Sequence, residues 1–164
     1  MINSSEPKPQ GETIPGLPQD LQLVGRYFLS KVKDVEFEIG YRERDKRAIE
    51  VDPTEEELDI EEEAKIFGMN KKELAAEKEQ RLNPDKLQEE IDDLRNEREY
   101  YLGLLDGLKK GEFKPCIDYL RQSLEAKELA KSLITFEHTS PQYKEKSLAE
   151  TRVLREYIRL LESK

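Results

Sequence analysis

The sequence predicts a mainly α-helical protein with a three-helix or helical-hairpin unit at its C-terminal end. Apolar residues recur at spacings of three and four over long stretches, and cap and stop residues delimit those stretches. Charged residues make up 40% of the chain and hydrophobic residues 35%, which is typical of long helices with solvated faces. We expect an extended arm at 1–20, a mixed segment at 21–82 and a helical domain at 83–164.

The longest predicted helix begins at Asn83, a good N-cap, with Pro84 at its first position, and stops at Gly111. Its seam has alternating spacings of four and three, which is the heptad pattern of a coiled coil. The seam residues are Leu87, Ile91, Leu94, Arg98, Tyr101, Leu105 and Leu108. Arg98 interrupts the apolar series, either to pair with a carboxylate of a facing helix or to extend along the edge of the seam into solvent.

Two more helices complete the predicted C-terminal unit. One follows Pro115, and the other starts at Ser140-Pro141, a cap and proline of the same kind as Asn83-Pro84. Because short connections make successive helices antiparallel neighbours, we expect residues 84–164 to form one bundle.

The first 20 residues contain four prolines and two glycines, a composition that predicts an extended arm. We expect this arm to lie on a neighbouring subunit, although the alternative is that it folds back on its own chain. Its predicted apolar anchors, together with those of the helix that follows, are Ile14, Leu17, Leu21 and Phe28.

Residues 21–51 give two conflicting patterns. Apolar residues at helical spacing predict a helix over Asp20–Lys33. Val35, Phe37, Ile39 and Tyr41 then alternate with charged residues, as in a strand with one buried face. The alternation favours a small β-hairpin at 34–51 over the alternative, a helix that continues through Gly40.

The segment between Pro53 and Leu82 predicts two short helices. Thr54 and Glu57 have capping-box spacing, Gly68 is a stop, and Asn70 and Glu73 repeat the capping-box spacing. Seven carboxylates and no base lie between Glu55 and Glu63. We interpret this acidic run as a solvated face or as the complement of a basic patch on a partner.

The sequence predicts no catalytic, cofactor or metal site, and so a protein that is not an enzyme. It contains one histidine, His138, and one cysteine, Cys116, and no glycine-rich loop that would hold a phosphate. A single cysteine excludes an internal disulfide and fits a reducing compartment. We expect neither a signal peptide nor a membrane span.

The net charge of −9 argues against nucleic-acid binding, because affinity for the phosphate backbone comes from Lys and Arg. The one candidate patch consists of Arg42, Arg44, Lys46 and Arg47. Mixed charges around this patch make a nucleic-acid-associated regulator the weakest binding hypothesis.

The stretch Tyr100–Lys164, with its "GLLDGLKKGEF" turn and its "FEHTSPQYKEKSLAETRVLREYIRLLE" closing helix, resembles a helical hairpin of small structural proteins of tailed bacteriophages. The resemblance implies a multicopy virion component at the head, neck or tail, with an arm that grips its neighbours. It also implies a location in the virion or the host cytoplasm. No functional residue is carried over from it.

The leading hypothesis is therefore a non-enzymatic structural or assembly protein whose partners are other protein subunits, copies of itself among them. The expected contacts are the seam of the long helix and the four apolar anchors. The alternative is a coiled-coil adaptor or chaperone that binds one partner protein.

Overall fold

The computed structural model describes residues 13–133 and 140–164, and the regular elements within those ranges are all helical. A 3-10 turn at Gln19–Leu21 leads into α1 (Gln22–Val51), which is followed by five more helices. These are α2 (Thr54–Phe67), α3 (Lys71–Leu82), α4 (Pro84–Lys110), α5 (Lys114–Leu133) and α6 (Pro141–Glu162). The prediction of a mainly α-helical protein is confirmed. Among the described helices, none is both long and apolar enough to cross a membrane.

Residue contacts divide the chain into two compact units. The first contains the described parts of Met1–Phe28 and of Gly103–Lys164, and the second contains Leu29–Leu102. Both α1 and α4 contribute residues to each unit. These units differ from the sequence segments 1–20, 21–82 and 83–164.

The β-hairpin predicted at 34–51 is wrong, because these residues belong to α1. Val35 and Ile39 are buried, whereas Phe37 is 63% and Tyr41 48% exposed. The two buried residues are four apart, as are the two exposed residues, and each spacing is close to one helical turn. The sets are offset by two residues, so together they imitate the alternation of a strand. The alternative, a helix through Gly40, is what forms.

In the unit Leu29–Leu102, α1 and α4 are antiparallel neighbours. Arg42 Nε lies 3.1 Å from a Glu90 carboxylate oxygen, and Lys46 Nζ donates to Gln88 Oε1 at 2.9 Å. Residue numbers rise along α1 as they fall along α4, which fixes the direction. The buried apolar residues of this unit are Val32, Val35, Ile39, Ile49, Ile60, Ala64, Leu87, Ile91 and Tyr101.

Most of the predicted helix boundaries are confirmed by local hydrogen bonds. Asn70 and Glu73 form the reciprocal capping box. Gly68 and Gly111 stop α2 and α4 in the left-handed region, with φ of 66° and 79°.

A proline lies at the start of α4 (Pro84) and directly before α2 (Pro53), and the caps of these two helices differ. At Pro84 the Asn83 side chain accepts from the backbone N–H of Asp85 at 3.0 Å, as expected. The capping box predicted for Thr54 is wrong. Asp52 Oδ1 accepts instead from both the backbone N–H (3.0 Å) and the hydroxyl (2.6 Å) of Thr54.

In the other unit, α5 and α6 are antiparallel. Arg121 pairs with Glu162, Glu128 pairs with Arg155, and Lys131 donates to the hydroxyl of Thr151 at 3.2 Å, so residue numbers rise along α5 as they fall along α6. The start of α1 also belongs to this unit. Phe28 stacks against Tyr119 of α5 with ring centroids 5.6 Å apart. The buried apolar residues here are Ile14, Leu17, Leu21, Val24, Phe28, Leu104, Leu105, Leu108, Cys116, Leu120, Leu154, Ile158 and Leu161.

Substitution by alanine at two glycines of α1 should change stability in opposite directions. A Cβ at Gly40 would meet nothing within 4 Å, so Gly40→Ala should raise the free energy of unfolding by about 0.5–1 kcal/mol. A Cβ at Gly25 would collide with Leu17 and lie 2.9 Å from Ile14 Cδ1. Gly25→Ala should therefore lower the free energy of unfolding by about 1–3 kcal/mol. Urea unfolding of the two variants measures both; destabilisation by Gly40→Ala would contradict a helix through residue 40.

Candidate interaction surfaces

The predicted arm does not extend from the chain at residues 13–20. Ile14 is 5% and Leu17 8% exposed, and the buried side chain of Gln22 holds both residues. Gln22 Oε1 accepts from the backbone N–H of Ile14 at 2.8 Å. Gln22 Nε2 donates to the carbonyl oxygens of Ile14 (3.1 Å) and Leu17 (2.8 Å). One glutamine thus bonds three backbone groups, of which the Ile14 N–H and the Leu17 carbonyl oxygen would otherwise be buried without partners, since the Ile14 carbonyl also accepts from the Leu17 N–H at 3.4 Å.

This arrangement corrects the expected role of the four apolar anchors. Ile14, Leu17, Leu21 and Phe28 are all buried within the chain, so as placed they are not available to a neighbouring subunit. The described part of the segment follows the alternative, an arm that folds back on its own chain. The rest of the predicted arm, residues 1–12, lies outside the described residues.

The predicted seam of α4 is mostly core. Leu87, Ile91, Tyr101, Leu105 and Leu108 are buried, each at 8% exposure or less. Leu94 and Arg98 are only half-buried. Arg98 forms an ion pair with Glu99 of its own helix at 3.4 Å, and within 13–133 and 140–164 no carboxylate of a facing helix pairs with it. Leu104, also buried, widens the seam and was not predicted.

The acidic run is paired with two cations inside a helical hairpin. Helices α2 and α3 pack on each other across the Gly68 turn. Lys78 Nζ lies 2.7 Å from a carboxylate oxygen of Glu61 and 3.2 Å from one of Glu57. The Arg81 guanidinium pairs with two carboxylates, with its nitrogens 2.6 Å from an oxygen of Glu63 and 2.8 Å from an oxygen of Glu56.

These contacts change the interpretation of the acidic run. Four of its seven carboxylates have a partner on α3, so the run is neither a simple solvated face nor wholly available to a basic partner. Hydrogen bonding from Lys78 lowers the pKa of Glu61 below its usual value.

The tip of this hairpin is apolar and exposed. Ile66 is 78% and Phe67 74% exposed, and both directly precede the left-handed turn at Gly68. We call Ile66 and Phe67 the hairpin tip. The hairpin tip was not predicted as a surface from the sequence; the available signal was a pair of large apolar residues at the end of a highly charged helix, next to a stop glycine.

Three of the four residues of the basic patch of α1 contact partners in their own chain. Arg42 pairs with Glu90, and Lys46 lies 3.6 Å from a carboxylate oxygen of Glu50. The Arg44 guanidinium lies 4.5 Å from the ring centroid of Tyr41, in cation–π geometry. These contacts compete with any phosphate for the same side chains.

Cys116 is a buried core residue. Its Sγ donates to the carbonyl oxygen of Leu104 at 3.2 Å, and burial raises the pKa of its thiol to about 11. The reactive thiolate is therefore strongly disfavoured. His138 lies outside the described residues. Those that are described contain no group of three or more His, Cys, Asp or Glu arranged to hold a metal ion.

Comparison of the chain with protein-family models, with curated proteins and with solved structures gives no match. A proposal for its function therefore depends on the surfaces described above.

The Gln22 contacts predict a large effect from one buried amide. Gln22→Ala removes three hydrogen bonds and leaves buried backbone groups of Ile14 and Leu17 without partners. It should lower the free energy of unfolding by about 2–3 kcal/mol and speed proteolysis near residue 17. Gln19→Ala, at an exposed position of the preceding turn, is the control and should change little. Equal behaviour of the two variants in urea unfolding would contradict the role of Gln22.

The hairpin contacts predict a titration shift. Because Lys78 stabilises the charged form of Glu61, the folded-state pKa lies below the ordinary value of 4.5, and the unfolded state binds more protons in this range. The contribution of Glu61 to stability is therefore present above that value and is lost as the pH falls through the folded-state pKa. Carboxyl NMR titration should show the pKa of Glu61 rising toward 4.5 in Lys78→Met.

Lys72→Met, which changes an exposed lysine of the same helix, should leave the Glu61 titration where it is. An unchanged pKa of Glu61 in Lys78→Met would show that this ion pair does not persist in solution.

Proposed function

We propose that this chain is a non-enzymatic structural or assembly protein that binds other protein subunits through its helical surfaces, as a component of a virion-like multi-subunit particle. The observation that supports this most is the hairpin tip, an exposed apolar pair on a helical hairpin whose charged groups pair with one another.

The hairpin has the features of a docking element. Lys78 and Arg81 link α3 to four carboxylates of α2 at distances of 2.6–3.2 Å, which favours one relative position of the two helices. Ile66 and Phe67 then sit at a defined place on a supported turn. Large apolar side chains held in this way are typical of the residues that contribute most to protein interfaces.

The proposal of a virion component comes from the resemblance of residues 100–164 to phage structural proteins. The hairpin tip is compatible with a virion component but does not by itself indicate one. A head, neck or tail position is equally compatible with it. The pairing of Arg42 and Lys46 within the chain favours protein partners over nucleic acid.

A coiled-coil adaptor or chaperone is the second candidate. It is favoured by the exposed aromatic pair Phe37 and Tyr41 of α1, which stack edge to face with ring centroids 4.7 Å apart. An adaptor would form a complex of fixed stoichiometry with one partner, whereas a structural component is present in many copies per particle.

The hairpin tip gives a direct test. A tagged chain is expressed in its source cells, and the lysate is separated on a density gradient. The wild type should sediment in a large particle, in many copies. The double variant Ile66→Asp/Phe67→Asp should stay near the position of the free 19.2 kDa chain, because a charged tip cannot enter an apolar site.

Leu58→Asp is the matched control, since Leu58 is 57% exposed on the same helix but away from the tip. It should sediment as the wild type does. Circular dichroism of each purified variant verifies its helix content. A wild-type chain that sediments alone would overturn the proposed function, and one that sediments with a single partner would favour the adaptor.

A further inference from the structure

Helix α1 carries two heptad-spaced stripes. The inner one contains the buried residues Val32, Val35 and Ile39. The outer stripe has the same alternating spacings of four and three, and every one of its residues is exposed. It consists of Ser30, Asp34, Phe37, Tyr41, Arg44, Ala48 and Val51. Phe37 is 63% and Val51 87% exposed, so two of its largest apolar groups face solvent.

Most of the outer stripe lies away from α4 within the unit Leu29–Leu102, and Asp34, at the edge of the stripe, lines a cleft that residues of α4 also line. Arg42, Glu43 and Lys46 form polar contacts with α4, and they lie on the same side of the helix as Val35. At about 100° per residue, Phe37 is roughly 160° around the helix from Val35. A heptad stripe on this side is the pattern by which a helix packs against another helix.

We propose that the outer stripe packs against the same stripe of a second copy of this chain, with the two α1 helices antiparallel. This inference rests on the proposed function, because it names one of the protein subunits that the chain binds. A two-fold symmetric contact requires a surface that complements itself, so that residue i meets residue j and j meets i.

The order of residues along the stripe meets that requirement. Proceeding from Asp34 to Arg44, the stripe presents an acid, two aromatic rings and a base. When a second copy is turned end for end about Ile39, Asp34 meets Arg44 of the partner subunit, and Phe37 meets Tyr41 of the partner subunit. Each contact then occurs twice, with opposite charges paired at both ends and aromatic rings paired in the middle.

A parallel arrangement fits the stripe poorly. It would place Asp34 against Asp34 of the partner subunit and Arg44 against Arg44 of the partner subunit, both within the seam. The parallel arrangement has one advantage at the rim, that is, among the charged residues that flank the stripe. There Lys33 would lie near Glu38 of the partner subunit, whereas in the antiparallel arrangement it would lie near Arg47 of the partner subunit. Rim charges keep their water and are screened by salt, whereas seam charges lose water, so the seam decides the orientation.

The aromatic part of the stripe is already ordered in the single chain. Tyr41 is held between Phe37, at 4.7 Å between ring centroids, and the Arg44 guanidinium, at 4.5 Å from its ring centroid. Side chains that occupy fixed positions before binding lose less conformational entropy on association. The side chains at the centre of the proposed contact are therefore partly preorganised.

Charge reversal tests the orientation as well as the contact. Sedimentation equilibrium of the purified chain should show a mass that rises with concentration from 19.2 kDa toward twice that value. Asp34→Arg alone and Arg44→Asp alone should each raise the dissociation constant at least about tenfold, because each creates two like-charge contacts. The double variant Asp34→Arg/Arg44→Asp should restore the wild-type dissociation constant.

The rescue cannot arise within one chain, since residues 34 and 44 are about 15 Å apart along the helix. Phe37→Asp should abolish the dimer, whereas Leu148→Asp, at a 56% exposed position of α6, should not affect it. Single reversals that leave the dimer unchanged would overturn the antiparallel arrangement.

A wild type that stays monomeric at all concentrations would overturn the inference itself. The proposed function fails separately, when the chain does not enter a particle on the density gradient. A monomeric chain that still enters the particle would remove only the self-contact.

Discussion

The burial of one side of α1 is the constraint on which both units depend. Val24 and Phe28, fully buried, belong to the core of one unit, and Val35 and Ile39 to the core of the other. A chain with 35% hydrophobic residues has little apolar surface to bury, so each core uses the same continuous helix. Loss of helical structure at any point between these residues would remove apolar groups from a core that has few to replace them.

Many of the charged residues pair with one another, whereas some large apolar residues are exposed. Lys78 and Arg81 neutralise carboxylates of the acidic run, and Arg42 pairs with Glu90. By contrast, Ile66 and Phe37 are well exposed. Exposed ion pairs of this kind contribute modestly to stability, but they fix the positions of helices and reduce the attraction of the surface for other charged molecules.

Helix α4 and most of the caps were predictable because their signals are local, but the expectation that α4 is the longest helix is wrong, since α1 has 30 residues and α4 has 27. Asn83-Pro84, Asn70 with Glu73, and Gly111 act on backbone groups within a few residues. The partners of the acidic run were not predictable, since Lys78 and Arg81 lie 17–25 residues away from it in the sequence. A propensity argument likewise does not show that one glutamine would hold a proline-rich segment on its own chain.

The error at residues 34–51 has a particular physical cause. Two helical stripes on nearly opposite sides of α1, offset by two residues, produce a period of two over Val35 to Tyr41. Over these seven residues the pattern is the same as that of a half-buried strand, and only the longer run from Val24 to Ile49 distinguishes a helix from a strand. The same overlap explains why the outer stripe was not recognised as a surface and the seam of α4 was. Most of the residues that were expected to bind other subunits are core, and the exposed apolar groups lie elsewhere.

The most direct test of the two sides of α1 is a cysteine-labelling scan over residues 30–51, at low and high protein concentration. Cys116 is fully buried and adds little background. Labelling rates at low concentration should follow a helical period, fast at positions 37, 41 and 44 and slow at 35 and 39. At the stripe positions 30 and 48, where cysteine replaces a small exposed residue outside the aromatic centre, the rates should fall as the concentration rises. Rates that alternate with a period of two, or rates at 30 and 48 that concentration does not change, would contradict a continuous helix with one buried side and one that binds a second copy.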